Sequence, residues 1–317
     1  MSIRAAGMVA AVRRPVTVEV MLLVTVVVWA LNFTVTRYAL THGWHPLAYS
    51  SLRYSAGALL FAFFVAQTER SFQVARRRDL GYLLLAAGMG IVLNQVSYVY
   101  AIKLTNATTV ALILGITPIL TAIGAFVVGL ERVTPRFWAA AGVSFGGVAL
   151  VAMGAGEAGV KFDVLGDLLS VATAATWAAY SILIAPLMRR YSPYRISAIV
   201  LLIGCVPLLA LASRQIATQD FAGLGGLAWA AIVFATLGPL VLTNVLWFRS
   251  VSIVGPSRAT LFANIQPFIA AVFALLILSE RLTTLQVAGG FAIGAGILLS
   301  GGAARRPRFP EASKIGP

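Results

Sequence analysis

The sequence predicts an all-α integral membrane protein of ten transmembrane helices, built as two inverted five-helix repeats. Three observations carry that reading. The first is composition: 60% of the 317 residues are hydrophobic and 11% are charged. A soluble domain needs a polar surface that such a chain cannot supply. Apolar runs of about 20 residues, enough to cross a ~30 Å hydrocarbon core, recur throughout. The second is a repeat. LERVT at 130–134 returns as SERLT at 279–283, and the same shift of 149 aligns Thr108 with Ser257, Pro118 with Pro267 and Tyr98 with Trp247. The third is charge placement. Between the apolar runs, 18 Lys and Arg fall on the side of the N-terminus and 6 on the opposite side.

Taken in order, the first span is 17–38, after Arg4, Arg13 and Arg14. Its apolar run passes Ala30 into Phe33 with no small-residue cleavage site, so it reads as a retained span and not a signal peptide. Spans 47–66, 80–102, 107–129 and 135–153 complete a first repeat over 17–153. Spans 166–187, 196–212, 226–248, 255–278 and 283–301 form the second, over 166–301. Each reads as helix because backbone polar groups in lipid must be satisfied within the segment. Near the start of the repeats the shift is 148, where Trp29 meets Trp177, and 147 where Pro46 meets Pro193. Five is odd, so the second copy enters the membrane from the other side. Residues 1–16 and the basic, proline-containing tail 302–317 flank the repeats, and the tail is predicted to be disordered. The arginine bias places both termini in the cytoplasm and 154–165 outside.

Several function classes fall away at this stage. A formal charge of +14 does not point to nucleic acid. The arginines sit between apolar runs, where they orient spans and meet anionic headgroups of the bilayer. The one cysteine, Cys205, lies inside an apolar run, which leaves no disulfide and no thiol-ligated metal. His42 and His45 bracket a short connection with no third ligand nearby and read as an interfacial loop. Without a glycine-rich phosphate loop, a metal cluster or a catalytic triad, no cofactor and no enzyme activity are expected.

Candidate site residues come in symmetric sets. Asn94, Gln95 and Tyr98 share one face of span 3. Their images on span 8 are Thr243, Asn244 and Trp247, again polar, polar, aromatic. Buried amides in lipid are costly unless bonded or facing water, so these residues are either helix-to-helix glue or a cavity lining. Trp29 with Asn32 on span 1, and Trp177 with Tyr180 on span 6, stand three residues apart, too deep for interfacial anchors. Core packing and substrate contact both fit them. Pro118 and Pro267, preceded by Thr117 and Gln266, interrupt spans 4 and 9 and are expected to act as hinges. Gly142 with Gly146, and Gly290 with Gly294, have the four-residue spacing of close helix packing, within the monomer or between two copies. Glu131 and Glu280, beside Arg132 and Arg281 at span ends, read as surface ion pairs or caps. Arg53, near the outer start of span 2, reads either as attracting a carboxylate or a headgroup or, preferred, as snorkelling to the interface. No acidic residue or histidine stands at mid-membrane, which leaves no carboxylate proton relay and no counter-charge for a cationic solute.

The stretches WALNF at 29–33, HPLAYSSLRYSAGALL at 45–60 and PILTAIGAFVVGLERVTPRFWAAAGVSFGGVALV at 118–151, with its copy at 267–300, resemble the drug/metabolite transporter superfamily. The likeness is to its ten-helix EamA-type members and covers nearly the whole chain after residue 20. It implies movement of small metabolites without a nucleotide-hydrolysing part. The aromatic positions are similar to those of bacterial exporters of aromatic amino acids. The small four-helix branch of that superfamily uses an acidic residue in span 1, where this chain has VVVWALNFTVTRY and none. The expected function is therefore a secondary carrier or facilitator in a bacterial inner membrane, exporting small neutral or zwitterionic metabolites such as amino acids, with a monomer favoured. A passive solute channel and a non-transporting scaffold are the alternatives. The expected site residues are Trp29, Asn32, Asn94, Tyr98, Trp177, Tyr180, Asn244, Trp247 and Gln266.

Overall fold

The computed structural model describes residues 15–301, apart from 70, 75, 130–131, 158–162 and 255–261, together with 304–305. Residues 1–14, residues 158–162 of the 154–165 connection, Glu131, the first part of span 9 and nearly all of the tail lie outside the described residues. The fold is helical. In chain order the helices are α1 (Pro15–Thr41), α2 (Pro46–Thr68), α3 (Arg77–Ala87), α4 (Asn94–Leu104), α5 (Ala107–Leu114), α6 (Thr117–Val127) and α7 (Pro135–Glu157). They continue as α8 (Val164–Ile184), α9 (Pro193–Ala217), α10 (Gly226–Ala235), α11 (Thr243–Val254), α12 (Gln266–Leu278) and α13 (Thr284–Gly301). The one β feature among the described residues is a pairing of Arg132–Val133 with Ala304–Arg305.

Among the described residues, seven continuous helical runs are long and apolar enough to cross a membrane, and α12 and α13 are apolar but shorter. Helix α2 has 23 residues, yet its first half is rich in polar groups: Tyr49, Ser50, Ser51, Arg53, Tyr54 and Ser55. Large apolar side chains point outward, with Leu298 75% and Phe291 68% exposed. In water that surface would be costly; against hydrocarbon it is matched.

Two features interrupt the helices. A wider π-helical turn, Gly88–Leu93, joins α3 to α4, and a second, Thr236–Leu242, joins α10 to α11. They stand at equivalent positions, each immediately before a polar pair, Asn94–Gln95 or Thr243–Asn244. Such turns occur mostly at functional sites, and the sequence reading did not foresee them. The second feature is the proline break. Leu114 ends α5, and α6 restarts at Thr117 with Pro118 in its first turn, where a missing N–H removes no helix bond. Pro267 occupies the same position in α12. Each proline therefore begins a new helix. The two breaks adjoin, since a Cβ built on Gly115 would lie 3.4 Å from Pro267 Cγ.

Two antiparallel helix pairs hold the matched halves together. In the first, α7 meets α13 backbone to backbone. A Cβ on Gly147 would stand 2.6 Å from the Gly289 carbonyl oxygen, and one on Gly296 would stand 2.6 Å from that of Ala140. The four-residue spaced glycines are not the ones at this contact. Gly142 and Gly146 have nothing within 4 Å of a built Cβ, while Gly290 and Gly294 meet side chains of Leu112 and Phe268. One residue is about 100° of helix turn, so the glycine beside each motif turns toward the partner helix. The second pair is α2 with α9, each opened by proline at its first helical position. At one end the Gln219 and Gln215 side-chain oxygens accept from the backbone N–H of His45 and Leu47, each at 2.8 Å. At the other, the Glu69 carboxylate accepts from the Ser192 hydroxyl and, at 3.0 Å, from Arg195 Nε.

Candidate functional site

Helices α1, α2 and α4 converge on α8, and their facing side chains form a buried polar network. Its centre is Arg53. The π-turn before Asn94 sets the register of α4, so that Asn94 and Gln95 both point inward and are buried. Arg53 Nη2 donates to Gln95 Oε1 at 2.8 Å, and Nη1 donates to Asn32 Oδ1 at 3.3 Å. Gln95 Nε2 passes a bond to Asn94 Oδ1 at 3.0 Å. Asn94 Nδ2 in turn donates to the Thr173 carbonyl at 2.9 Å and Thr176 Oγ1 at 3.1 Å, both on α8. On the other branch, Asn32 Nδ2 donates to the Tyr98 hydroxyl at 3.0 Å, and that hydroxyl donates to Thr36 Oγ1 at 3.4 Å. Ser50 adds a bond to Gln95 Oε1 at 3.1 Å. Three of the expected residues, Asn32, Asn94 and Tyr98, thus belong to one network.

Arg53 overturns the snorkelling reading. It is 3% exposed and does not snorkel. Seven residues of rise at ~1.5 Å each carry it about 10 Å into the helix from Pro46. Amide oxygens on α1 and α4 hold it inward, and its guanidinium lies 5.4 Å from the Tyr49 ring centre and 5.0 Å from that of Tyr54. The sequence signal was present in AYSSLRYS at 48–55, a polar and aromatic run where a lipid-facing span should be apolar. What single-helix reading could not supply was the pair of amides opposite.

The aromatic residues divide. Trp29, one turn from Asn32 along α1, tilts against Trp247 with ring centres 5.2 Å apart. Its indole N–H donates to the Pro239 carbonyl in the second π-turn at 3.3 Å. Trp29 and Trp247 therefore meet beside the network. Trp177 and Tyr180 pair with each other at 5.3 Å, but Trp177 is 42% exposed and turned outward. Tyr180 packs so closely over Gly90 that a Cβ there would clash at 2.4 Å. Asn244 Nδ2 donates to the Leu240 carbonyl of its own helix, so its amide is not part of the network. Gln266 opens α12 beside Pro267.

Glu280 is a cap, of another helix than its own. Its Oε1 accepts from Ala107 N at 3.1 Å, and its Oε2 accepts from Thr108 N at 3.0 Å and Thr108 Oγ1 at 2.7 Å. Among the described residues the ion pairs are Arg190–Asp79 and Arg195–Glu69, and neither involves Glu280. No group of three or more metal-ligating side chains occurs among the described residues. His42 Nδ1 lies 2.9 Å from the Tyr38 carbonyl, and His45 Nδ1 lies 3.3 Å from that of Gln215.

Comparison with known proteins adds the following. The profile of the EamA-like transporter family matches residues 16–153 and again 164–302. The chain is 28% identical over 279 residues to a protein of Streptantibioticus cattleyicolor named "Probable terminal-alkyne amino-acid exporter", covering 88% of this chain and 91% of that one. It is 27% identical over 296 residues to a "Probable amino-acid metabolite efflux pump" of Escherichia coli, covering 89% and 93%. An uncharacterized transporter of Bacillus subtilis, YyaM, is 23% identical over 296 residues, covering 92% and 96%. A solved crystal structure shares the fold with a TM-score of 0.61 at 16% identity, over 90% of this chain and 97% of that one.

Proposed function

Because the chain belongs to the EamA-like transporter family, we propose that it is a secondary carrier exporting amino acids and similar small zwitterionic metabolites across a cytoplasmic membrane by alternating access. The observation that carries this reading is the buried polar network where α1, α2 and α4 of the first matched stretch meet α8 of the second. Hydrogen-bonding groups deep among apolar helices are costly unless bonded or facing water, and an ionisable residue among them, here Arg53, marks a solute path by default. Relatives named for amino-acid export support the solute class.

The chain crosses the membrane ten times as two inverted repeats, with both termini cytoplasmic. Equivalent π-turns, equivalent proline breaks and the reciprocal glycine contacts of α7 and α13 all support that arrangement. Carriers of this design place the site at the repeat interface and rock around it. Pro118 and Pro267 are the hinges, and Trp29, Asn32, Asn94, Tyr98 and Trp247 meet the solute. Among the described residues no carboxylate bonds to the network, and on this reading transport needs no imposed pH gradient.

Reconstitution into liposomes with labelled amino acids tests the proposal. A carrier gives saturable flux and counterflow. Flux that never saturates would mark a passive channel, and no flux for any solute would leave only a scaffold.

A further inference from the structure

Resting on the carrier reading above, we infer that Arg53 is the recognition group for the carboxylate of the solute, so that the transported class is a carboxylate with an apolar body. Amines lacking that carboxylate are refused.

Arg53 is a cation buried beyond the reach of water, and among the described residues no acidic side chain bonds it. A buried charge is normally paired or neutralised, because neutral dipoles only partly replace water. Here the partners are two amide oxygens, on Asn32 and Gln95. Arginine always carries its charge and offers five N–H donors in a planar fork. The Nε atom of Arg53 is buried and has no hydrogen-bond partner. Nε–H and the neighbouring Nη2–H form the edge of the guanidinium that takes a carboxylate in two parallel bonds. On that edge one donor is idle and the other is held by Gln95 Oε1. A solute carboxylate would satisfy both, releasing the Gln95 oxygen to its remaining bond from Ser50.

A second observation points the same way. The hydroxyl of Tyr49, whose ring flanks Arg53, is buried and makes no hydrogen bond of good geometry, with the Thr36 and Arg53 side chains beside it. Buried polar atoms almost always find partners, and one that does not, next to an idle Nε–H, calls for a missing one.

The charge is also one-sided. By the offset that aligns Pro46 with Pro193, Arg53 corresponds to Val200, which is buried and apolar. Beside the network stands the Trp29–Trp247 pair. The site thus has one cationic pole and one aromatic pole, which suits a carboxylate on an aliphatic or aromatic body.

The test is counterflow in proteoliposomes, using phenylalanine, leucine and serine against the matching decarboxylated amines phenethylamine, isopentylamine and ethanolamine. Wild-type protein should carry one or more of the acids and none of the amines. Arg53→Gln should raise the half-saturating concentration at least tenfold and Arg53→Lys should recover part of that loss. The melting temperature of solute-free Arg53→Gln should stay equal or rise, because an uncompensated charge is removed. Equal transport of amines and acids, or unchanged half-saturation in Arg53→Gln, would overturn this assignment and leave the carrier reading standing. So would a lowered melting temperature with normal flux per folded molecule, which is the signature of structural glue. Absence of flux for all six solutes in wild type would overturn both.

Discussion

Removing the Glu280 carboxylate should loosen the start of α5, and the size of the effect follows from the bonds it makes. The first N–H groups of a helix have no partner inside it. In α5 the Asn106 side chain takes one of them, accepting from Thr109 N at 2.7 Å. Glu280 takes the two before it, Ala107 N at 3.1 Å and Thr108 N at 3.0 Å, and the Thr108 hydroxyl as well. Glu280→Ala leaves those three donors without an acceptor. Deleting a capping side chain costs about 0.5–2 kcal/mol, and a negative charge at a helix N-terminus adds roughly 0.3–1 kcal/mol. The half-buried setting and the three bonds put this case at the upper end, about 2 kcal/mol. For a protein of this size that is a fall of a few degrees in melting temperature, readable by intrinsic fluorescence in detergent or nanodiscs. Glu280→Gln keeps an acceptor and loses the charge, so it should fall between. Arg281→Ala, at an exposed neighbour, is the control and should leave the melt unchanged. An unaltered melting temperature in Glu280→Ala would refute the claim that this carboxylate ties α12 to α5.

Three further outcomes are expected. Gly296→Val should destabilise the protein by more than about 1–3 kcal/mol, the usual cost of overpacking, because its Cβ would meet the Ser144 hydroxyl at 2.0 Å. Gly142→Val, with open space around it, should melt like wild type; equal melts for the two would refute the helix face assigned here. A cysteine at Ala158, in a Cys205→Ala background, should react with an impermeant reagent applied from outside, as the 18 to 6 distribution of basic residues requires. Labelling from the cytoplasmic side alone would invert the topology. Trp247→Ala should raise the half-saturating concentration several-fold, since an aromatic pair contributes roughly 0.5–1.5 kcal/mol beyond area burial. Normal flux kinetics in a stably folded variant would place the Trp29–Trp247 pair off the pathway.

How much of this was legible in the sequence differs by kind of feature. The doubling of the chain and its helical, apolar character were, because apolar length and a doubled motif are one-dimensional signals. The amides and aromatics of spans 1 and 3 were also found, since periodicity places Asn94 and Tyr98 on one face. Which face meets which neighbour was not legible. Arg53 looked like an interfacial residue because its distance from Pro46 can be counted, whereas the amides of Asn32 and Gln95 opposite it cannot. The backbone-to-backbone contact of α7 with α13 was missed for the same reason, since it lies beside the spaced glycines and not on them. Asn244 mirrors Gln95 in sequence yet bonds its own helix. Symmetry of chain does not compel symmetry of contact. The π-turns left one trace, Pro239, whose carbonyl Trp29 reaches.

The α2–α9 pair is fastened differently at its two ends, and that has a bearing on how the molecule responds to its solution. One fastening is made of neutral glutamine amides on backbone N–H groups. The other joins a carboxylate to a guanidinium and a hydroxyl. Dissolved salt screens the second and leaves the first nearly untouched, over a Debye length that shrinks from ~10 Å at 0.1 M to ~3 Å at 1 M. If the two ends part in turn as the halves rock, raising ionic strength weights the resting population toward the state in which the Glu69 end is open. The same solute gradient would then be met by a different mixture of inward- and outward-facing molecules in dilute and in concentrated electrolyte.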